Sequence, residues 1–243
     1  MIKSVAIGCY IDDTEHYPDS YAIVAVDVIR ATTTAVTAVS MGRACFPVPS
    51  LEAATSCAAG LENPLLVGEL GGNMPYGFDM TNSPAELAAR TDTFRPMVLL
   101  SSSGTRLMCA ANGAPAVYAA CLRNYVATAR HLAAYHSKIA LLGAGTRGEF
   151  REEDQMCCAW IAQELIEAGY IPEDATTISI VERWGEAPPS ACMTSKSVDY
   201  LRRTGQLKDL EFILKHVSDL DSAFMLEDGQ IVEKRLSTRL AVA

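Results

Sequence analysis

Short, nearly continuous apolar runs recur along the chain, separated by longer Ala-rich amphipathic stretches. This alternation limits the fold more than any other feature. The runs are YAIVAVDV (21–28), PLLVGEL (64–70), PMVLLSS (96–102), PAVYAA (115–120), KIALLGAG (138–145) and ATTISIVE (175–182). A strand wet on one face alternates apolar and polar residues. Runs with so few polar positions suit strands covered on both faces. Stretches 31–41, 51–61, 84–90, 105–112, 124–135 and 152–169 read as helices. Ser50 is a candidate N-cap for the second, and Ser83 followed by Pro84 gives the third a cap and a first-turn proline. Alternating strand and helix predicts an α/β fold, a largely parallel sheet with helices on both faces.

The last quarter differs. LKDLEFILKHV reads as a helix and SAFMLEDGQIVEKR as a hairpin turning at Asp228–Gly229, expected as an antiparallel edge of the sheet. RWGEAPPSACMTSKS is the one clear loop-like break, and without a repeat or long linker a single domain over 1–243 is expected. No apolar run approaches the roughly 18 residues of a membrane span. Acids interrupt the N-terminal apolar run, MIKSVAIGCYIDDTEHY, which makes it a poor signal peptide.

Charge narrows the function classes. The formal charge of −9 opposes nucleic acid, whose phosphates need a basic face. An anionic substrate would need a local positive site, from arginines or a bound metal. The eight cysteines form no C-x₂-C pair and sit mostly in apolar surroundings, as buried free thiols of a reducing cytoplasm would. His16, His131, His136 and His216 fall outside every polar motif, which argues against histidine-driven hydrolysis.

The polar motifs follow strand ends. After AIVAV come Asp27, Arg30 and Thr32–Thr34; after LLV come Gly68, Glu69 and the glycine-rich LGGNMPYGFDMTNSP; after MVLL comes SSSGT; after IALL comes GAGTRGEFREED. In a parallel sheet the strand carboxyl ends share one edge, where ligands bind. Each motif also has a plainer reading. Asp27 could pair with Arg30 and hold the turn, the threonines could belong to a first helical turn, and Ser103–Gly104 could be only a cap. Gly143, Gly145 and Gly148 match G-x-G-x-x-G spacing, but the strand comes late and EFREED follows, so a dinucleotide fingerprint is weak. Haloacid dehalogenase phosphatases need a second aspartate where this chain has Ile29, and that fold is rejected.

In the functional reading Asp27 meets a cation or the reacting group, while Arg30 and the threonines grip an anion at a helix N-terminus. Glu69, Glu149, Glu152, Glu153 and Asp154 add hard oxygen donors. For Glu152 and Glu153 the plainer reading, solvated charges favourable to a helix start, is preferred. Asp27 with one or two of the others could hold Mg²⁺. Arginines, Mg²⁺ and no histidine suit phosphate-ester hydrolysis.

Taken in order, DVIRATTT (27–34), GE (68–69), GFDMTNSP (77–84), SSSGT (101–105) and GAGTRGEFREED (143–154) resemble the 2-phosphosulfolactate phosphatase family, over roughly residues 20–170. The resemblance implies a three-layer α/β/α sandwich and a Mg²⁺-dependent phosphatase that converts 2-phospho-3-sulfolactate to 3-sulfolactate on the route to coenzyme M. It points to Asp27, Arg30, Thr32, Glu69, Asn82, Ser83, Ser103, Gly104, Thr105, Arg147, Glu149 and Asp154 as the site. Asp27, Arg30, Glu69 and Arg147 are the catalytic candidates. Thr32, Asn82, Ser83, Ser103, Gly104 and Thr105 are the substrate-binding candidates, and Asp27, Glu149 and Asp154 the metal ligands. The chain departs from the family with serines at 101–103 and Val198 where a glycine is expected. The expected partner is a small phosphorylated anion, with no nucleic acid or membrane, and a homodimer is compatible with the reading. The alternatives are a phosphatase of the same fold for another phosphorylated acid, or a phosphate- or metabolite-binding protein without turnover.

Overall fold

The computed structural model describes residues 2–17, 20–145 and 149–236. Strands β1 (Ser4–Gly8), β2 (Ala22–Val26), β3 (Cys45–Val48), β4 (Leu65–Gly68), β5 (Met97–Leu100), β6 (Ala116–Ala120), β7 (Lys138–Gly143), β8 (Ile171–Pro172), β9 (Ala223–Glu227) and β10 (Gln230–Lys234) form one sheet. Helices α1 (Ala31–Ser40), α2 (Leu51–Ala59), α3 (Pro84–Ala88), α4 (Gly104–Ala110), α5 (Tyr125–Tyr135), α6 (Glu152–Glu167), α7 (Ala175–Trp184), α8 (Lys196–Arg203) and α9 (Leu207–Lys215) cover it. The period-2 alternation of the strands sends residues to two cores. Val24 and Val26 of β2 face Met156, Ile161 and Leu165 of α6, whereas Ile23 and Ala25 join Val36 of α1 and Leu107 of α4. Near-continuous apolarity in β2 thus reflects burial on both faces, as in a three-layer α/β/α sandwich.

The C-terminal hairpin is not at an edge. The sheet order is β4-β5-β3-β10-β9-β6-β2-β7-β1-β8, so β9 and β10 sit inside it. The hairpin pairs antiparallel with β6 at Tyr118↔Met225 and with β3 at Ile231↔Cys45. Phe224 and Ile231 are accordingly buried. Three successive antiparallel junctions, β6–β9, β9–β10 and β10–β3, leave β3, β4 and β5 running against β6, β2, β7 and β1. The strand carboxyl ends therefore share an edge only within each half of the sheet.

Segment 175–182 is a helix, not a strand. Asp174 caps it, accepting from the Thr177 N–H at 2.6 Å, and the buried residues Thr177, Ile180 and Trp184 recur at helical spacing. Its β-branched residues suggest a strand, but Ile178 is exposed while Ile180 packs inward. Strands β1, β3 and β8 are further elements that the apolar-run pattern did not mark. No helix among the described residues is long and apolar enough to cross a membrane.

Candidate active site

Five sequence motifs meet at one cavity of about 340 Å³, within the range of small-ligand sites. Asp27, Arg30, Glu69, Asn82, Ser103, Glu149 and Asp154 line it, joined by Tyr200 and Arg203. The halves of the sheet run in opposite senses, yet the loops after β2 and β5 touch. Five strand steps separate β2 from β5, and the Gly104 N–H nevertheless reaches the Asp27 carboxylate.

The loop after β2 is held by its threonines. Thr32 Oγ1 accepts from the Asp27 N–H at 2.9 Å and donates to the Asp27 carbonyl at 2.8 Å. Thr33 Oγ1 donates to the Val28 carbonyl at 2.8 Å, and Thr34 Oγ1 shares its proton between the Arg30 carbonyl at 2.9 Å and the Asn82 carbonyl at 2.7 Å. All three hydroxyls thus fix backbone, and Thr32 is not among the residues lining the cavity. The same holds for Ser83 and Thr105. Ser83 Oγ accepts from the Glu86 N–H as N-cap of α3 and donates to Asp209 Oδ1 at 2.5 Å, while Thr105 Oγ1 accepts from the Ser101 N–H at 2.8 Å and locks the SSSGT turn.

The Asp27 carboxylate lies at the amino ends of α1 and α4, where the Ala31 and Gly104 N–H groups donate to it. Burial nevertheless pushes its carboxyl up to about 7, helped by the charges of Glu69 and Glu153 and opposed by those two N–H groups. Asp154, in the first turn of α6, accepts from the Val28 N–H at 2.7 Å. Burial, then the charges of Asp27 and Glu153, holds its carboxyl well above the usual range. Glu69 is more fully partnered. Its Oε1 accepts from the Ser102 N–H at 2.7 Å, and its Oε2 accepts from the Gly72 N–H at 2.7 Å and Ser102 Oγ at 3.0 Å.

Arg30 reaches the cavity with its charge already balanced. Its Nη1 donates to Asp209 Oδ2 at 2.5 Å and to Gln206 Oε1, and both ion-pair side chains are almost fully buried. Glu149 lines the mouth, half exposed, with Lys196 Nζ at 2.6 Å and Arg151 Nη1 at 3.6 Å. Asn82 is 3% exposed and its Oδ1 has no hydrogen-bond partner among the described residues. Arg147 lies outside the described residues. None of the four histidines lines the cavity.

Several contributors escaped the motif reading. Glu153 is fully buried instead of solvated, and neither of its oxygens meets a donor at hydrogen-bond geometry among the described residues, although the Ser195 and Ser197 hydroxyls lie close enough to favour its charge. The sequence signal was its place in the first turn of a helix that follows a strand-end loop. Lys196, Ser197, Tyr200 and Arg203 come from α8, in a stretch read as a loop-like break or a family departure.

The donor chemistry fits a hard divalent cation. Asp27 and Asp154 are buried carboxylates, the charge of Asp27 raises the proton affinity of Asp154, and Glu153 adds a third buried acid beside them. Among the described residues no three carboxylate, imidazole or thiol groups form a ready metal cage. Mg²⁺ seldom needs one, since it binds through one or two carboxylates, waters and substrate phosphate oxygens.

Comparison with known proteins gives the family. The profile of a family described as 2-phosphosulpholactate phosphatase matches residues 10–224. A protein of Deinococcus radiodurans named "Probable 2-phosphosulfolactate phosphatase" is 35% identical over 202 residues, covering 81% of this chain and 83% of the relative. Relatives of the same name from Clostridium perfringens strain 13 and Thermus thermophilus are 30% and 34% identical, covering 95% and 81% of this chain and 96% and 83% of their own lengths. The match spans every motif that lines the cavity, and the chain belongs to the 2-phosphosulfolactate phosphatase family, a family of phosphoric monoester hydrolases.

Proposed function

We propose that the chain hydrolyses 2-phospho-3-sulfolactate to 3-sulfolactate and phosphate with Mg²⁺ as cofactor, a step toward coenzyme M in the cytoplasm. The observation that carries this reading is the setting of Asp27. Its carboxylate is buried at two helix N-termini, in one cavity with Asp154, Arg30 and Asn82. The names of the relatives suggest the substrate, and the free thiols of all eight cysteines support a reducing compartment.

Asp27 and Asp154 would hold Mg²⁺, which supplies charge neutralisation to the phosphoryl oxygens. The chain's own groups orient the ester. Arg30, fixed by Asp209, presents its guanidinium edge to the phosphate, and the Asn82 amide and Ser103 take further oxygens or a substrate hydroxyl. Glu69, gripped by three donors, keeps the 69–72 loop in place. A water oxygen bonds to phosphorus as the ester P–O bond breaks. A carboxylate of the cavity takes one water proton and returns it to the leaving oxygen, which becomes the product hydroxyl.

The test is phosphate release from a panel of phosphorylated three-carbon acids, with Mg²⁺ and with excess chelator. Release from 2-phospho-3-sulfolactate in preference to the others, lost on chelation and restored by Mg²⁺, is expected. No release from any member would overturn hydrolysis, preference for another acid would overturn the substrate, and full activity in chelator would overturn the metal.

A further inference from the structure

Among the described residues four cationic side chains line the cavity, Arg30, Arg151, Lys196 and Arg203. Arg30 is neutralised by buried Asp209, and Lys196 and Arg151 share Glu149. Among the described residues no carboxylate pairs with Arg203, whose Nε donates only to the Asp199 carbonyl at 3.3 Å. Its neighbour Arg202 is ion-paired with Asp199 at 2.9 Å.

The orientation of Arg203 is built into α8. Val198 and Leu201 are fully buried against Leu210 of α9, which fixes the rotation of the helix about its axis. Lys196, Tyr200 and Arg203 stand four and three residues apart, so they share the face turned to the cavity. Tyr200 pins that face, donating from its hydroxyl to the Gly72 carbonyl at 2.5 Å. Gly72 has φ +88°, and a Cβ there would stand 2.9 Å from the Tyr200 hydroxyl, so the loop can approach this closely only as glycine. The α8 wall is thus tied to the loop that carries Glu69.

We infer that α8 carries the subsite for the part of the substrate that is not hydrolysed, with Arg203 as the specificity residue for its acid group and Lys196 and Tyr200 flanking it. This rests on the phosphatase reading above. A monoester with a further acid group brings charge at both ends. The aspartate and asparagine end suits the phosphate, and the Arg203 guanidinium suits a carboxylate or sulfonate, either of which offers two oxygens to its planar fork. Phosphate esters without a second acid group gain far less from Arg203, so the residue discriminates through binding and not through the bond-breaking step.

The experiment compares wild type, Arg203→Gln and Arg203→Lys in two assays, after circular dichroism shows each to be folded. Calorimetric titration with 3-sulfolactate measures the subsite without turnover. Steady-state kinetics use 2-phospho-3-sulfolactate, 2-phosphoglycerate, which keeps the carboxylate alone, and glycerol 2-phosphate, which has no acid group. Arg203→Gln should weaken 3-sulfolactate binding and raise KM for 2-phospho-3-sulfolactate roughly 10- to 100-fold. The loss should fall on KM far more than on kcat and be far smaller with glycerol 2-phosphate, with partial recovery in Arg203→Lys. An equal loss with 2-phosphoglycerate assigns the carboxylate to Arg203, and no loss assigns the sulfonate. Equal loss on glycerol 2-phosphate, or unchanged binding and KM, overturns the subsite while phosphate release still upholds the hydrolase. Arg203-dependent 3-sulfolactate binding without phosphate release from any ester upholds the subsite and overturns the hydrolase.

Discussion

Gly104 leaves room for Asp27. A Cβ on Gly104 would overlap Asp27 Oδ2 and stand 2.8 Å from the Ala31 Cβ, and the Gly104 N–H donates to the same carboxylate. The glycine is required by close approach, since Asp27 is short, buried and held at both helix ends. Gly104→Ala should displace the carboxylate, cost about 1–3 kcal/mol of stability and lower phosphate release at least roughly tenfold. Thermal melting and a phosphate assay on the same preparation check this. Wild-type turnover in a folded Gly104→Ala protein would separate Gly104 from the site.

Asp27→Asn keeps the shape and removes the charge. Turnover should fall on the order of 10²- to 10³-fold, while the melting temperature holds or rises because a carboxyl pushed up by burial is relieved. Rapid quenching of wild type in acid should reveal no phosphorylated protein, in keeping with direct attack by water. A covalent phosphoprotein would instead make Asp27 the nucleophile.

The Arg30–Asp209 pair joins α9 to the amino ends of α1 and α3, since Asp209 also accepts from Ser83 Oγ at 2.5 Å and the Ala85 N–H at 3.1 Å. Asp209→Asn strands a buried guanidinium and should cost about 3–5 kcal/mol, or roughly 6–20 °C in melting temperature for a chain of this size. Arg30→Met combined with Asp209→Leu should recover much of the stability but not the activity. Recovery of both would limit Arg30 to a structural tie.

Cys157 and Cys158 lie inside α6, fully buried, and burial holds both thiols well above their ordinary range. Native-state alkylation at mildly alkaline pH should modify the half-exposed Cys57 first and leave this pair untouched, as peptide mapping would show. A Cys157→Ala/Cys158→Ala variant should keep its turnover. A folded but inactive double variant would bring a thiol into the mechanism.

Much of the fold and the site is local information. The runs ending at Val26, Gly68, Leu100 and Gly143 are apolar on both faces because they are covered on both faces, and that pattern is written in consecutive residues. Asp27, Glu69, Ser103 and Asp154 follow those strands directly or after one loop, so the chemistry of the cavity was legible before its shape. Local signals failed where a neighbour far along the chain decides. The β-branched residues of 175–182 fit either strand or helix, and the Asp174 cap with burial of Ile180 and Trp184 selected the helix. Glu153 reads as a solvated first-turn charge until the packing of α6 buries it.

The sequence by itself determined most strands, most helices and many of the residues that carry the chemistry, because hydrophobic period, caps and turn residues act within a few positions. Only the tertiary structure decided how they meet. Insertion of the hairpin between β6 and β3 reverses half the sheet, and the loop after β5 nonetheless meets Asp27 at Gly104. The same long-range packing sets α8 against α9 and aims Arg203 into the cavity. Sheet order and the docking of α8 rest on contacts between residues distant in the chain, which no local pattern encodes.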